Sequence, residues 1–305
     1  MTIETLKKEF LPSLAPEDFY VLLAHATGKS REFLLAHPEY GPDAETEARA
    51  REYFARRLDR EPVAYIVGEK EFFGLPFRVT RDTLIPRPET ELLVERAIED
   101  LRLQIADCKS TRTKRILIAD IGTGSGAIII SIATQLRAKN PQSAIRNPQF
   151  NFHAIDTSSA ALAIAKENAE RNNVADMITF HEGNLIDPIV NYFPEADEII
   201  LIANLPYLSE NIYASADDDV TKYEPKRALL SGSDGLDHYR ELFASIRETI
   251  LRLPSYRLSV LCEISPEQDK LITSLFDDMF PDGTSRILPD LSDRGRVFSF
   301  RLEKN

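Results

Sequence analysis

The sequence predicts an α/β protein, with a mostly parallel sheet covered by helices and a small helical domain ahead of it. Three observations carry this. From Arg115 onward, short apolar runs alternate with amphipathic helical stretches, the pattern of a parallel sheet with crossover helices. Before about residue 63 no strand pattern intrudes. A glycine cluster, Gly122 to Gly126, stands where the first apolar run gives way to a helix.

The elements follow in order. Pro16 suits a first helical turn, where its missing N–H costs nothing. Phe19, Leu22, Leu23 and Ala26 then share one helical face, and Gly28 stops it. Ser30 can cap a short helix ending near His37-Pro38. Asp43 can cap a third, in which Ala50, Phe54 and Leu58 recur every four residues. Residues 1–62 are therefore read as the helical domain. Residues 63–90 are read as a strand and hairpin linker. Residues 65–68, 71–76 and 77–79 look like short strands around a Gly/Pro turn, and two prolines hold Ile85 to Glu91 extended. Residues 91–305 form the sheet domain, with strands expected at 116–121, 152–155, 178–181, 199–203, 258–264 and 296–302. Helices are expected through Leu136 and over 160–171, 237–251 and 266–280. The polar stretches 108–114 and 138–149 read as looped insertions.

Composition narrows the classes. The 305 residues carry 37 Lys and Arg against 49 Asp and Glu, a net charge of −12. With 43% hydrophobic residues the chain is not disordered. No apolar run approaches the ~20 residues that span a bilayer, and the first residues lack the order of a signal peptide. Cys108 and Cys262 stand far apart, with no disulfide framework. A cytoplasmic, monomeric protein without a membrane is expected. The acidic balance argues against coating a nucleic-acid duplex, though a local basic groove stays open.

Three strand-ending motifs carry the chemistry, because ligands of such sheets bind at the carboxyl ends of strands. The first is Asp120-Ile121 followed by Gly122, Thr123, Gly124, Ser125 and Gly126. Three of the chain's 12 glycines fall within those five positions. Glycine lets backbone approach a ligand, and a helix start offers free N–H groups; a tight turn is the plainer reading. The second is Asp156, which can accept both ribose hydroxyls of an adenosine cofactor or cap the next helix. The third is Asn204-Leu205-Pro206-Tyr207. An amino group on an sp² carbon is a poor nucleophile, because its lone pair is delocalised. The Asn204 side-chain carbonyl and the Leu205 backbone carbonyl can hold its two hydrogens. Pro206 keeps Leu205 extended, and Tyr207 offers an aromatic wall. The alternative is a loop that simply ends a strand.

Together these motifs resemble a class I S-adenosylmethionine-dependent methyltransferase acting on planar nitrogen, with a Rossmann-like sheet. Further stretches resemble the PrmC/HemK release factor glutamine methyltransferases: Arg60 to Gly68, Phe72-x-Gly74, Ile85-Pro86-Arg87-Pro88-Glu89-Thr90-Glu91, Glu224-Pro225 with Ala228-Leu229, and Gly232-x-Asp234-Gly235-Leu236. The likeness covers essentially the whole chain. It implies methylation of the glutamine side-chain amide in the Gly-Gly-Gln motif of class-one peptide chain release factors. The helical domain would grip that partner. S-adenosyl-L-methionine would lie on Gly122, Thr123, Gly124, Ser125 and Gly126, with ribose on Asp156 and adenine between Asn184 and Leu185. Asn204 would border the cofactor and, with Leu205, Pro206 and Tyr207, hold the amide.

Two departures from the family pattern stand out. Position 205 is leucine where proline is usual. Asn184 and Leu185 replace an acid and an aromatic, which suggests weaker cofactor affinity. An adenine methyltransferase on RNA or DNA shares the Asn-Leu-Pro-Tyr logic and is the main rival. A non-catalytic cofactor-binding scaffold and a nicotinamide dehydrogenase are the others. No metal is expected, since His25, His37, His153, His181 and His238 lack metal spacing. Asp217 to Asp219 reads as a solvated face, Glu263 as a supporting or helix-capping residue, and Phe72, Phe73 and Phe77 as interdomain core. Direct displacement at the sulfonium methyl needs no strong base, so none is assigned.

Overall fold

The computed structural model describes residues 2–106, 114–139 and 149–304. It opens with α1 (Ile3–Phe10), α2 (Pro16–Thr27), α3 (Arg31–Ala36), α4 (Ala44–Leu58) and α5 (Val63–Val67). Ser30 and Asp43 cap α3 and α4 through the amides of Phe33 and Thr46, and Gly28 ends α2 with φ +66°. Phe19, Leu22, Leu23 and Phe54 form the core of this part. Ile66 joins that core, with Val63 and Val67 packed against it. The strand expected at 65–68 is therefore corrected to a helical turn. Pro62 leads into it, left-handed Gly68 ends it, and only the helical path delivers Ile66 to the core.

A hairpin follows, β1 (Glu69–Phe72) and β2 (Leu75–Arg78). Phe73 and Gly74 both have positive φ, the two-residue turn that matches strand twist. Phe72 and Phe77 are buried with Leu93, Ile129 and Ile132 against the large sheet. They belong to the sheet's own core, which corrects the interdomain placement.

The remainder runs α6 (Glu91–Ala106), β3 (Arg115–Ile121), α7 (Ala127–Lys139), β4 (Gln149–Asp156), α8 (Ser159–Arg171), β5 (Ile178–Glu182), β6 (Glu198–Ala203), α9 (Glu210–Ser215), α10 (Asp218–Tyr223), α11 (Asp237–Arg252), β7 (Tyr256–Glu263), α12 (Asp269–Met279), β8 (Thr284–Pro289) and β9 (Gly295–Lys304). Cys108 and the insertions expected at 108–114 and 138–149 fall, but for their ends, outside the described residues. The edge strand β8 was not anticipated, because Thr284–Pro289 offers little apolar alternation.

The large sheet has the order β5-β4-β3-β6-β7-β9-β8. Its first five strands are parallel, and β9 and β8 are antiparallel additions. One face packs on Tyr239, Phe243 and Phe276 of α11 and α12. The other packs on Leu93 and Val94 of α6 and Ile129 and Ile132 of α7. The chain winds outward from β3 to β5 and then crosses back to β6, and such a reversal opens a crevice at the strand ends. Ile121 pairs with Ile155 on one side and Ala203 on the other. Gly122, Asp156 and Asn204 thus leave the sheet at one level.

Arg57 ties the helical end to the sheet end, reaching Asp18 at 2.7 Å and Asp219 at 2.6 Å. Asp219 is therefore an ion-pair partner, which corrects its reading as a solvated face. Among the described residues no helix is long and apolar enough to cross a membrane.

Candidate active site

The glycine loop is tied both to its own strand and to the neighbouring one. The Gly122 and Thr123 amides both donate to Ile155 O, at 2.9 and 2.8 Å. Thr123 Oγ1 donates to Asp120 Oδ2 at 2.7 Å. Asp120 is fully buried, and burial pushes its carboxyl up to about 7, against the Thr123 bond. Gly122, Gly124 and Gly126 all take positive φ. A Cβ on Gly126 would stand 2.6 Å from Ile130 Cδ1 and 3.2 Å from Ala165 Cβ, so that glycine serves helix packing. A Cβ on Gly124 would meet nothing within 4 Å; it would stand in the cavity the loop borders.

Asp156 bridges two loops. Its Oδ2 accepts from the Gly124 amide at 2.9 Å and its Oδ1 from the Ser158 amide at 2.8 Å. It is not the helix cap: Ser158 caps α8 through the Ala161 amide. Each carboxylate oxygen keeps acceptor capacity after one bond.

Asn204 leaves β6 opposite the glycine loop, and a Cβ on Gly122 would come within 3.1 Å of Leu205 Cδ2. The Asn204 Nδ2 donates to Thr90 Oγ1 at 3.1 Å. Among the described residues no hydrogen bond reaches Asn204 Oδ1 or the Leu205 carbonyl. The Tyr207 hydroxyl donates to Glu263 Oε1 at 3.3 Å. Burial drives Glu263 up to about 7, with Thr90, Arg296 and Tyr207 pulling it back. Gln268 Nε2 holds the Tyr207 carbonyl at 2.9 Å.

These walls enclose a cavity of about 240 Å³. Gly122, Thr123, Gly124, Ser125, Asp156, Asn184, Leu185, Asn204, Leu205 and Pro206 all line it. Asn184 is exposed, whereas Leu185 is buried with φ +45°. Gly126 and Tyr207 are not among its lining residues. The Tyr207 hydroxyl is taken up by Glu263.

Several contributors escaped the sequence reading. Thr90, Arg227 and His238 line the cavity, and Arg227 Nη2 donates to Ser158 Oγ at 2.6 Å. Asn168 is fully buried. Its Nδ2 reaches Ser125 O at 2.9 Å and Arg78 O at 3.0 Å, buckling the glycine loop to β2. Its signal was available: it continues the apolar face of Ala161, Ile164 and Ala165, where a polar residue needs internal partners.

Comparison with known proteins follows this geometry. The PrmC N-terminal domain family matches residues 8–68, and a methyltransferase domain family matches residues 112–214. The release factor glutamine methyltransferase of Haemophilus influenzae is 34% identical over 92% of this chain and 89% of its own length. The enzyme of that name from Rhodopirellula baltica is 32% identical, over 93% and 88%. The one from Bacillus subtilis is 30% identical, over 93% and 91%. Among solved structures, the N-terminal domain of human METTL16 in complex with SAH aligns over 91% of this chain and 93% of its own, at TM-score 0.48 and 17% identity. That likeness is too distant to bear on function.

Proposed function

This chain belongs to the release factor glutamine methyltransferases, and we propose that it methylates the glutamine side-chain amide in the Gly-Gly-Gln motif of a class-one peptide chain release factor. The observation that carries this is the direction of the Asn204 amide. Its nitrogen is held by Thr90, Asn204 and Leu205 both line the cavity, and among the described residues no hydrogen bond takes up the Asn204 oxygen or the Leu205 carbonyl.

Two such acceptors suit a carboxamide NH₂. Accepting both hydrogens fixes the plane of the group and aims its nitrogen lone pair across the cavity. The same acceptors stabilise the positive charge that develops on nitrogen during transfer. Most of the acceleration comes from holding nitrogen, carbon and sulfur in line at contact distance. Leu205 replaces the family's usual proline, but a backbone carbonyl acts here, and Pro206 keeps that segment extended.

The opposite wall suits the methyl donor. When bound, S-adenosylmethionine supplies a methyl made electrophilic by its positively charged sulfur. Gly122 to Ser125 would lie along its amino-acid part, Asp156 would accept from the ribose, and Asn184 and Leu185 would flank the base. The open face at Gly124 leaves room for such a ligand. The helical part, residues 1–62, would grip the release factor, which places the reaction in the cytoplasm. One chain supplies every group named, so a monomer suffices.

The test is transfer of a labelled methyl group to purified release factor, with a Gly-Gly-Gln to Gly-Gly-Ala variant as control. Label on the native factor and none on the variant is expected. RNA run in parallel tests the adenine reading, since Asn204 to Tyr207 would also suit an aromatic amino group. Label on RNA alone would replace the proposal.

A further inference from the structure

In the segment Ile85 to Glu91 only Thr90 touches the chemistry above, and its neighbours Arg87 and Glu91 reach different parts of the molecule. Arg87 forms an ion pair with Glu224, and the Ile85 amide donates to the same carboxylate at 3.3 Å. Glu91 Oε1 accepts from the Phe73 amide at 2.8 Å. Thr90 stands between these anchors at the end of a tight turn, its amide bonded to Arg87 O at 3.1 Å. It is only 4% exposed, and its hydroxyl takes the Asn204 Nδ2 hydrogen at 3.1 Å.

The two ends of a carboxamide are nearly equal in size, so packing alone does not choose which points where. Hydrogen-bond partners choose. The Thr90 hydroxyl has one hydrogen and two lone pairs, and toward Asn204 it uses a lone pair, accepting the Nδ2 hydrogen. A lone pair accepts from the NH₂ end and repels the oxygen.

We infer that Thr90 is a positioning residue that fixes the orientation of the Asn204 side chain, so that Oδ1 and not Nδ2 faces the substrate amide. This rests on Asn204 being the amide acceptor of the proposed reaction. A flipped Asn204 would present a donor to a donor, and the nitrogen lone pair would lose its aim. The two prolines around Arg87, with the Arg87 and Glu91 anchors, then hold the positioning hydroxyl at a fixed place.

A double-mutant cycle tests this, read as single-turnover transfer of labelled methyl to intact release factor, with affinity for S-adenosylhomocysteine titrated alongside. Thr90→Val keeps shape and removes the acceptor. It should slow transfer about tenfold, the order of one net hydrogen bond, and leave S-adenosylhomocysteine affinity unchanged. Thr90→Ser should stay within about twofold of wild type, because the hydroxyl is all that matters. In an Asn204→Ala background, Thr90→Val should cost nothing further. An equal cost in both backgrounds would mean that Thr90 acts on substrate directly or on the fold, and would overturn the inference. So would a Thr90→Ser variant as slow as Thr90→Val, or Thr90→Val at the wild-type rate while Asn204→Ala is slow. If Asn204→Ala itself transfers at the full rate, the reading of Asn204 falls, and Thr90 has nothing to position. Should Thr90→Val not fold, Thr90→Ala closes the same cycle.

Discussion

The two walls of the cavity are built in opposite ways. The glycine loop is held within two consecutive strand–helix units, largely through backbone groups: Thr123 bonds Asp120 three residues back, the amides of Gly122 and Thr123 lean on Ile155 of the adjoining strand, and Asn168 of the helix after it holds Ser125 O. The Asn204 turn is held by side chains from elsewhere. Thr90 lies 114 residues away, Glu263 lies 56 from Tyr207, and Gln268 lies 61 from it. The first wall is assembled from neighbouring strands and the helix that follows them. The second draws on side chains from farther along the chain, because orienting Asn204 and Tyr207 needs partners on several sides.

Substitutions on each wall should therefore separate binding from transfer. The largest effect is expected from Asn204→Ala, with transfer slowed about 10²- to 10³-fold, the scale of losing one group that stabilises transition-state charge. Its affinity for the donor should stay near wild type by calorimetry; a matching loss of affinity would erase the division between the walls. Next comes Asp156→Ala, expected to weaken donor binding about ten- to a hundredfold, as for hydrogen bonds to a charged group. An unchanged titration would remove its ribose role. Gln268→Ala should lower stability by roughly 1–3 kcal/mol, since the Tyr207 carbonyl loses its buried donor. Denaturant unfolding measures this, with donor affinity expected to hold in the surviving folded fraction.

The last effect concerns pH, and it touches stability and not transfer. Burial raises Glu263 from 4.5 to about 7, so between those values the folded chain keeps a proton that the unfolded chain has released. The stability this contributes is complete below pH 4.5 and is lost as pH rises through 7, with a slope of at most about 1.4 kcal/mol per pH unit. Glu263→Gln should remove that slope from the wild-type curve, while Asp120, raised to about 7 as well, keeps its own. Identical pH curves for the two proteins would show that Glu263 does not titrate in this window.

The same contrast explains what could be read from sequence. Gly122 to Gly126 and Asp156 announce themselves, because local backbone demands leave a local residue signature. Asn204 to Tyr207 was legible as a turn with two acceptors, but not the setting of its amide, since nothing near position 204 names Thr90. The Glu263 partner of Tyr207 is hidden for the same reason: it arrives from β7 only when the sheet forms. Residues 65–68 read as strand because so short an apolar run carries no period, and burial of Ile66 decides for the helix Val63–Val67.

The pairing of Ile121 with both Ile155 and Ala203 has a consequence for chain length. Side chains in a strand alternate sides, so losing a single residue inside β6 would swing Asn204 to the opposite face while leaving the composition of the turn intact. Such a deletion should abolish transfer with every named residue still present. Spacing along that strand is thus as much a requirement of the chemistry as the identity of the asparagine.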